Sequence, residues 1–275
     1  MGKGALLGTD TLETALVELA RRAGEAILAF YRQPGLEVAV KADASPLTQA
    51  DLAAHRLLKE GLEALIPACP VLSEESKAIP VAERLRWGRY WLVDPLDGTK
   101  EFLRHNDEFT VNIALIEDHR PQLGLVHAPA LGTTYVGGLD LGARRYTLGG
   151  ASLAIAVQSP ALTPIRVVGS RSHPSPGLAD YVNGLGPHTF TAIGSSLKFC
   201  LVAEGQADVY PRFGPTSEWD TAAAQAVLEG AGGAVVDLQG QALRYNRSES
   251  LLNPYFIALG DKGRSWLPPA RTPDQ

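Results

Sequence analysis

Two aspartates separated by two residues, Asp94 and Asp97 in the run Asp94-Pro95-Leu96-Asp97-Gly98-Thr99, are the most chemically suggestive feature of the sequence. A bend held by Pro95 could aim both carboxylates and the Leu96 carbonyl at one point, and such hard oxygen donors suit magnesium. Two ionised carboxylates this close repel each other unless a cation lies between them. A bound cation would also supply a Lewis acid for phosphoryl transfer. Gly98 lets the backbone approach an anion closely. The same residues could equally form a solvated, Asx-rich turn, so the segment alone leaves the choice open.

Other acids could join the pair. Glu74 follows the apolar pair Val71-Leu72, Asp220 stands beside Trp219 ahead of an Ala-rich segment, and Asp51 falls in the first turn of an expected helix. Each has a plainer use: Asp51 would favour a helix N-terminus electrostatically, Asp220 could be an N-cap, and Glu75 reads as a solvated neighbour of Glu74. The spacing of the pair also separates two phosphatase chemistries. Enzymes that form an aspartyl-phosphate use Asp-x-Asp-x-Thr, whereas Asp-x-x-Asp favours a metal-activated water. The six histidines show no ligand spacing and read as surface or core residues.

The elements that must carry these residues follow from periodicity. Apolar residues at Leu12, Leu16, Leu19, Ala23 and Ile27 predict a helix over 12–31, and a second is expected from Thr48, as N-cap, to Pro67. Short buried strands at 71–72 and 90–93 run straight into Glu74 and Asp94. The pattern then turns β-rich over 109–117, 122–127 and 133–137, which predicts an antiparallel meander. The Ala-, Ser- and Pro-containing stretch 149–164 is the expected boundary. It divides an α+β half, 1–150, carrying most metal ligands from an α/β half, 151–275, carrying Asp220 and substrate-binding residues, within one compact unit. In that second half, strands are expected at 165–168, 188–193 and 234–237 and helices at 178–185, 197–204 and 221–231.

Composition narrows the function classes. With 275 residues, 45% hydrophobic and 20% charged, the chain is globular and can bury a sizeable core. A net charge of −5 argues against a nucleic-acid polymer as partner, since such partners need a broad Lys/Arg surface. Two cysteines without CxxC spacing fit a reducing compartment. The first residues lack a basic segment followed by an apolar one, and no stretch is long and apolar enough to span a bilayer. The expected location is cytoplasmic, with peripheral membrane attachment left open.

Three ordered segments, Leu72-Ser73-Glu74-Glu75, the run from Trp91 through Asp94-Pro95-Leu96-Asp97-Gly98-Thr99 to Phe102, and Trp219-Asp220-Thr221-Ala222-Ala223, resemble the inositol monophosphatase superfamily. Within it the chain is most similar to 3'(2'),5'-bisphosphate nucleotidases of the CysQ type. That similarity is carried by Lys41-Ala42-Asp43 with Ser45-Pro46, by the stretch from Gly194-Ser195-Ser196-Leu197-Lys198 to Gly205, and by Tyr210-Pro211-Arg212-Phe213-Gly214-Pro215-Thr216. The resemblance implies a layered α/β/α/β/α sandwich with the site between the two halves. It implies two or three Mg²⁺ ions: one on Glu74, Asp94 and the Leu96 carbonyl, a second on Asp94, Asp97 and Asp220, and a third, weaker one helped by Asp51. Thr99, Asp51 and Glu74 would be the catalytic group that orients the attacking water.

For the substrate, the resemblance implies contacts from Leu96, Asp97, Gly98, Thr99 and Asp220 with the scissile phosphate and its ribose. Gly194, Ser195 and Ser196 would supply small donors, and Arg212, Lys198 and Arg171 would be the cations for a second phosphate, the plainer reading being ordinary surface cations. The implied reaction is hydrolysis of the 3'-phosphate of adenosine 3',5'-bisphosphate (PAP) to AMP, with the sulfonucleotide PAPS as a second substrate, sulfur assimilation as the setting and lithium as an inhibitor. The alternative is an inositol monophosphatase or another small sugar-phosphate phosphatase. A non-catalytic nucleotide sensor is a further alternative, but it has little need to keep every metal-bearing carboxylate plus Thr99. The chain is expected to be a monomer or homodimer.

Overall fold

The computed structural model describes residues 9–32, 39–40, 46–47, 49–76, 79–147, 152–172 and 176–268. Lys41-Ala42-Asp43, Ser45 and the expected cap Thr48 lie outside the described residues. The first half contains α1 (Thr9–Tyr31), β1 (Ala39–Val40), β2 (Pro46–Leu47), α2 (Gln49–Leu65), β3 (Val71–Ser73), α3 (Val81–Arg84), β4 (Arg89–Asp97), α4 (Thr99–Leu103), β5 (Thr110–Glu117), β6 (Arg120–Ala128), β7 (Thr133–Gly138), β8 (Gly142–Thr147) and β9 (Leu153–Ala154). The second contains β10 (Ile165–Ser170), α5 (Leu178–Gly184), β11 (His188–Ile193), α6 (Leu197–Ala203), β12 (Val209–Arg212), α7 (Ala222–Gly230), β13 (Ala234–Asp237) and β14 (Phe256–Leu259), with a 3₁₀ turn at Glu218–Asp220.

The strands form a seven-stranded sheet, in order β3-β4-β5-β6-β7-β8-β9, and a five-stranded sheet, in order β11-β10-β12-β14-β13. Alternation along β4 shows how the layers arise. Trp91 and Val93 join Leu16, Leu19, Ile27, Leu58 and Leu62 of α1 and α2 in one core. Tyr90 and Leu92 face the other way, into a core shared with Phe199 of α6, Val227 of α7, and Tyr210 and Phe256 of the second sheet. A third core packs Val182 of α5 and Trp266 on the far face of the second sheet. The result is the expected α/β/α/β/α sandwich. Alternation of strand and helix does not describe the whole second half: β10, β11 and β12 pair in parallel, but β12, β14 and β13 pair antiparallel.

The middle helical layer sits unusually close to the first sheet. A Cβ at Gly124 of β6 would lie 2.0 Å from the Ala223 carbonyl oxygen of α7, so only glycine allows that approach. The small residues Ala222, Ala223, Ala224 and Ala226 complete the fit from the helix side.

His127 of β6 is buried under α1, where a Cβ at Gly24 would lie 2.6 Å from its Nε2. Its Nδ1 bonds the Thr134 hydroxyl at 2.9 Å, and burial pushes the imidazole down to about 4. The fold therefore favours the neutral ring, while the unfolded chain takes up a proton below its ordinary value of about 6.5. This contribution is full above about pH 6.5 and is lost as pH falls towards about 4, amounting to ~3 kcal/mol. Chemical denaturation at several pH values should show that slope, and His127→Gln should flatten it.

Candidate active site

The first sheet explains why the two aspartates stand three positions apart. Asp94 pairs with Asn112 and Asp97 with Thr110, so β4 spends one residue more than β5 between these pairs, a β-bulge. In an uninterrupted strand residues i and i+3 face opposite sides; the extra residue returns Asp97 to the side of Asp94. Pro95, which has no N–H to give to the ladder, sits within the bulge. The Leu96 N–H donates to Asp94 Oδ1 at 3.0 Å, and the Thr99 hydroxyl reaches the Leu96 carbonyl at 3.4 Å. Gly98 has φ +92°, and α4 begins directly after it.

Other elements deliver the remaining acids. Glu74 follows β3, which runs parallel to β4, and its N–H donates to the Val93 carbonyl at 3.2 Å. Asp51 is buried in the first turn of α2. Asp220 ends the 3₁₀ turn, where its carboxylate accepts the Ser217 N–H at 2.9 Å as the third-position partner of a capping box; the N-cap of α7 is Thr221, not Asp220 as the plainer reading had it. Asp94, Asp97 and Asp220 each bring an oxygen within 4.8 Å of the other two.

Electrostatics show what such a cluster needs. Burial, followed by the charges of Glu74, Asp97, Asp220 and Asp51, holds the Asp94 carboxyl well above the usual range. Burial, then Asp97 and Glu74, does the same to Asp220. Buried acids pushed together in this way fit a divalent cation, and the all-oxygen donor set is that of a hard metal. Among the described residues the cluster contains no histidine.

The acids open into a cleft of about 280 Å³ lined by Asp51, Glu74, Asp97, Gly98, Thr99 and Asp220 together with Ser195, Lys198 and Arg212. Lys198 is buried; its ammonium donates to the Ser195 carbonyl, lies 5.3 Å from the Tyr210 ring, and is brought down by burial to about 8. Arg212, also buried, donates to the Thr216 hydroxyl at 2.8 Å and the Pro215 carbonyl at 2.9 Å.

Four expected substrate contacts, Leu96, Gly194, Ser196 and Arg171, do not line the cleft; Leu96 is 1% exposed and its carbonyl accepts from the Thr99 hydroxyl. Arg171 does not line the cleft: its guanidinium holds Glu108 through two contacts of 2.8 Å and donates to the Ala192 carbonyl at 2.6 Å. Its neighbour Ser170 lines the cleft instead. The Gly194 N–H is taken by Glu108 Oε2 at 2.7 Å, and a Cβ on Gly194 would lie 2.6 Å from Glu101 Cγ. Ser196 is 1% exposed and bonds Asp97, behind the cleft surface. Lys100, Glu101, Ser170, Phe199, Tyr210, Pro215 and Thr216 also line the cleft and were not expected as site residues, although all but Ser170 stand inside the segments that carry the family resemblance.

Comparison with known proteins gives consistent findings. Residues 9–261 match the model of the inositol monophosphatase family. The chain is 53% identical over 242 residues to the 3'(2'),5'-bisphosphate nucleotidase CysQ of Salmonella typhimurium, covering 87% of this chain and 96% of that protein. It is similar in structure to CysQ from Bacteroides thetaiotaomicron, a bacterial member of the inositol monophosphatase family. The TM-score there is 0.80 and the identity 41%, over 90% of this chain and 96% of that one. An inositol monophosphatase from Zymomonas mobilis superposes with a TM-score of 0.72 at 29% identity, over 92% of this chain and 93% of its own. No described helix is long and apolar enough to cross a membrane.

Proposed function

The chain belongs to the inositol monophosphatase family, whose members are metal-dependent, and we propose that it is a magnesium-dependent phosphatase that converts PAP to AMP and phosphate. The observation that carries the substrate choice is the presence of two buried cations, Lys198 and Arg212, in the same cleft as the carboxylate cluster. Both have partners within the protein, Lys198 the charges of Asp97, Asp220 and Glu101 and Arg212 the Thr216 hydroxyl and Pro215 carbonyl, and as cleft-lining cations they also favour a ligand that brings negative charge. A substrate with a second phosphate does so, whereas the free hydroxyls of an inositol monophosphate call for acceptors. Relatives named as 3'(2'),5'-bisphosphate nucleotidases support the same reading. PAPS, with its modified 5'-phosphate, is the second substrate we expect.

In this reading Glu74, Asp94 and the Leu96 carbonyl hold one magnesium ion, Asp94, Asp97 and Asp220 a second, and Asp51 helps to hold a third. Bound there, magnesium supplies Lewis acidity and neutralises charge on the phosphoryl group. The residues of the chain do the rest. Thr99, Asp51 and Glu74 orient the attacking water, and the carboxylates accept its proton as its oxygen bonds phosphorus. The P–O3' bond breaks in line with that attack, and the ribose oxygen takes a proton from water and leaves as the 3'-hydroxyl of AMP. The backbone N–H groups of Gly98 and Thr99 offer donors to the phosphate oxygens, and Arg212 with Lys198 anchors the 5'-phosphate. In this reading the expected halves, 1–150 and 151–275, would carry most metal ligands and Asp220 with the phosphate anchors respectively, although β9 at Leu153–Ala154 completes the sheet of the first.

Phosphate release from PAP, PAPS, inositol 1-phosphate and fructose 1,6-bisphosphate, with Mg²⁺ and with chelator, tests this. PAP should have the highest kcat/KM, and chelator should stop release from every substrate. Faster hydrolysis of inositol 1-phosphate would overturn the substrate assignment.

A further inference from the structure

We propose that Ser196 and Asn112 are positioning residues for the metal cage, acting through the Asp97 carboxylate and not by touching substrate. The inference rests on the reading of Asp94, Asp97 and Asp220 as magnesium ligands. Ser196 Oγ lies 2.9 Å from Asp97 Oδ2 and 2.9 Å from the Asp220 backbone carbonyl. The Asn112 amide donates to Ser196 Oγ at 2.8 Å and reaches Asp97 Oδ2 at 3.5 Å. Both side chains are 1% exposed. The Ser196 hydroxyl, with one proton to donate, thus lies against two cage residues that different parts of the fold supply: the Asp97 carboxylate from β4, and the Asp220 backbone from the 3₁₀ turn ahead of α7. Every one of these bonds to Asp97 falls on Oδ2, so the carboxylate is held by one oxygen while the other is left for a cation.

Asn112 carries a second, independent sign of this role. It interrupts the apolar run of β5, between Val111 and Ile113, and its own Oδ1 is buried with no hydrogen bond among the described residues. An unmade hydrogen bond at a buried acceptor lowers stability, and a leucine of similar size would avoid it. A residue that costs stability where a leucine would fit is explained by its amide, which donates towards the cage. Ligand-orienting partners of this kind set metal affinity, commonly by about 10- to 100-fold.

The test measures metal binding and substrate binding separately. Ser196→Ala and Asn112→Leu are compared with the unaltered protein by calorimetric titration with Mg²⁺ and Mn²⁺ and by KM for PAP at saturating metal. Melting temperature in chelator is recorded for each. We expect metal affinity to fall about 10- to 100-fold in each variant, with KM at saturating metal within about twofold and the chelated proteins still folding cooperatively. The double variant should lose less than the product of the two single losses, because both act through one carboxylate. Unchanged metal affinity with KM raised tenfold would make Ser196 a substrate contact. Unchanged affinity with a lowered melting temperature would make the pair packing alone. Either result overturns the proposal. Calorimetry needs no substrate, so failure to hydrolyse PAP would remove the substrate reading and leave this inference to stand or fall on metal binding.

Discussion

Asp94→Asn is expected to lower kcat for phosphate release by at least about 10³-fold, at the upper end of what one preorganised electrostatic contact contributes. The same substitution should raise the melting temperature of the protein in chelator. The two effects have opposite signs for one reason. Asp94 is buried among Glu74, Asp97, Asp220 and Asp51, which hold its carboxyl well above the usual range. At neutral pH an ionised Asp94 therefore weakens the metal-free fold, and asparagine removes that charge. Its amide oxygen can still accept the Leu96 N–H that Asp94 Oδ1 accepts now. Steady-state turnover and thermal unfolding of one protein preparation check both halves, and unchanged turnover would sink the metal assignment.

Arg212→Gln should reduce kcat/KM for PAP by about 10- to 150-fold, mostly through KM, the scale of a hydrogen bond to a charged group. The control is 3'-AMP, which lacks the 5'-phosphate and should lose less than about threefold. An equal loss on both substrates would show that Arg212 serves the Pro215–Thr216 segment, which it bonds, and not the second phosphate.

The candidate site was legible in the sequence wherever chemistry and local order coincide. Asp97, Glu74 and Asp220 each stand at the end of a strand or just ahead of a helix, and those ends are written in local patterns; Asp94 lies inside β4, which runs on past the expected strand end at 93. Their convergence was legible only through the family resemblance. The reason for the Asp-x-x-Asp spacing was not legible, because the bulge belongs to the pairing of β4 with β5 and neither strand encodes it alone. The positions of Arg171 and Gly194 were hidden for a similar reason: both are set by Glu108, far away in the chain. Strands β8, β9, β12 and β14 were missed because each is short or atypical. Gly142–Thr147 carries two arginines, Val209–Arg212 contains a proline, and Phe256–Leu259 is too short to show a period.

The near contact of Gly124 with Ala223 bears on how the gene can be cut. By order in the chain α7 falls with the second sheet, yet its backbone rests on β6 of the first, and Tyr90, Val227 and Phe256 share one core. Severing the chain between β9 and β10 would give two polypeptides, each with half of that core open to water. Split-reporter designs and domain-swap chimaeras that treat the stretch between β9 and β10 as a natural seam therefore cut through a shared core.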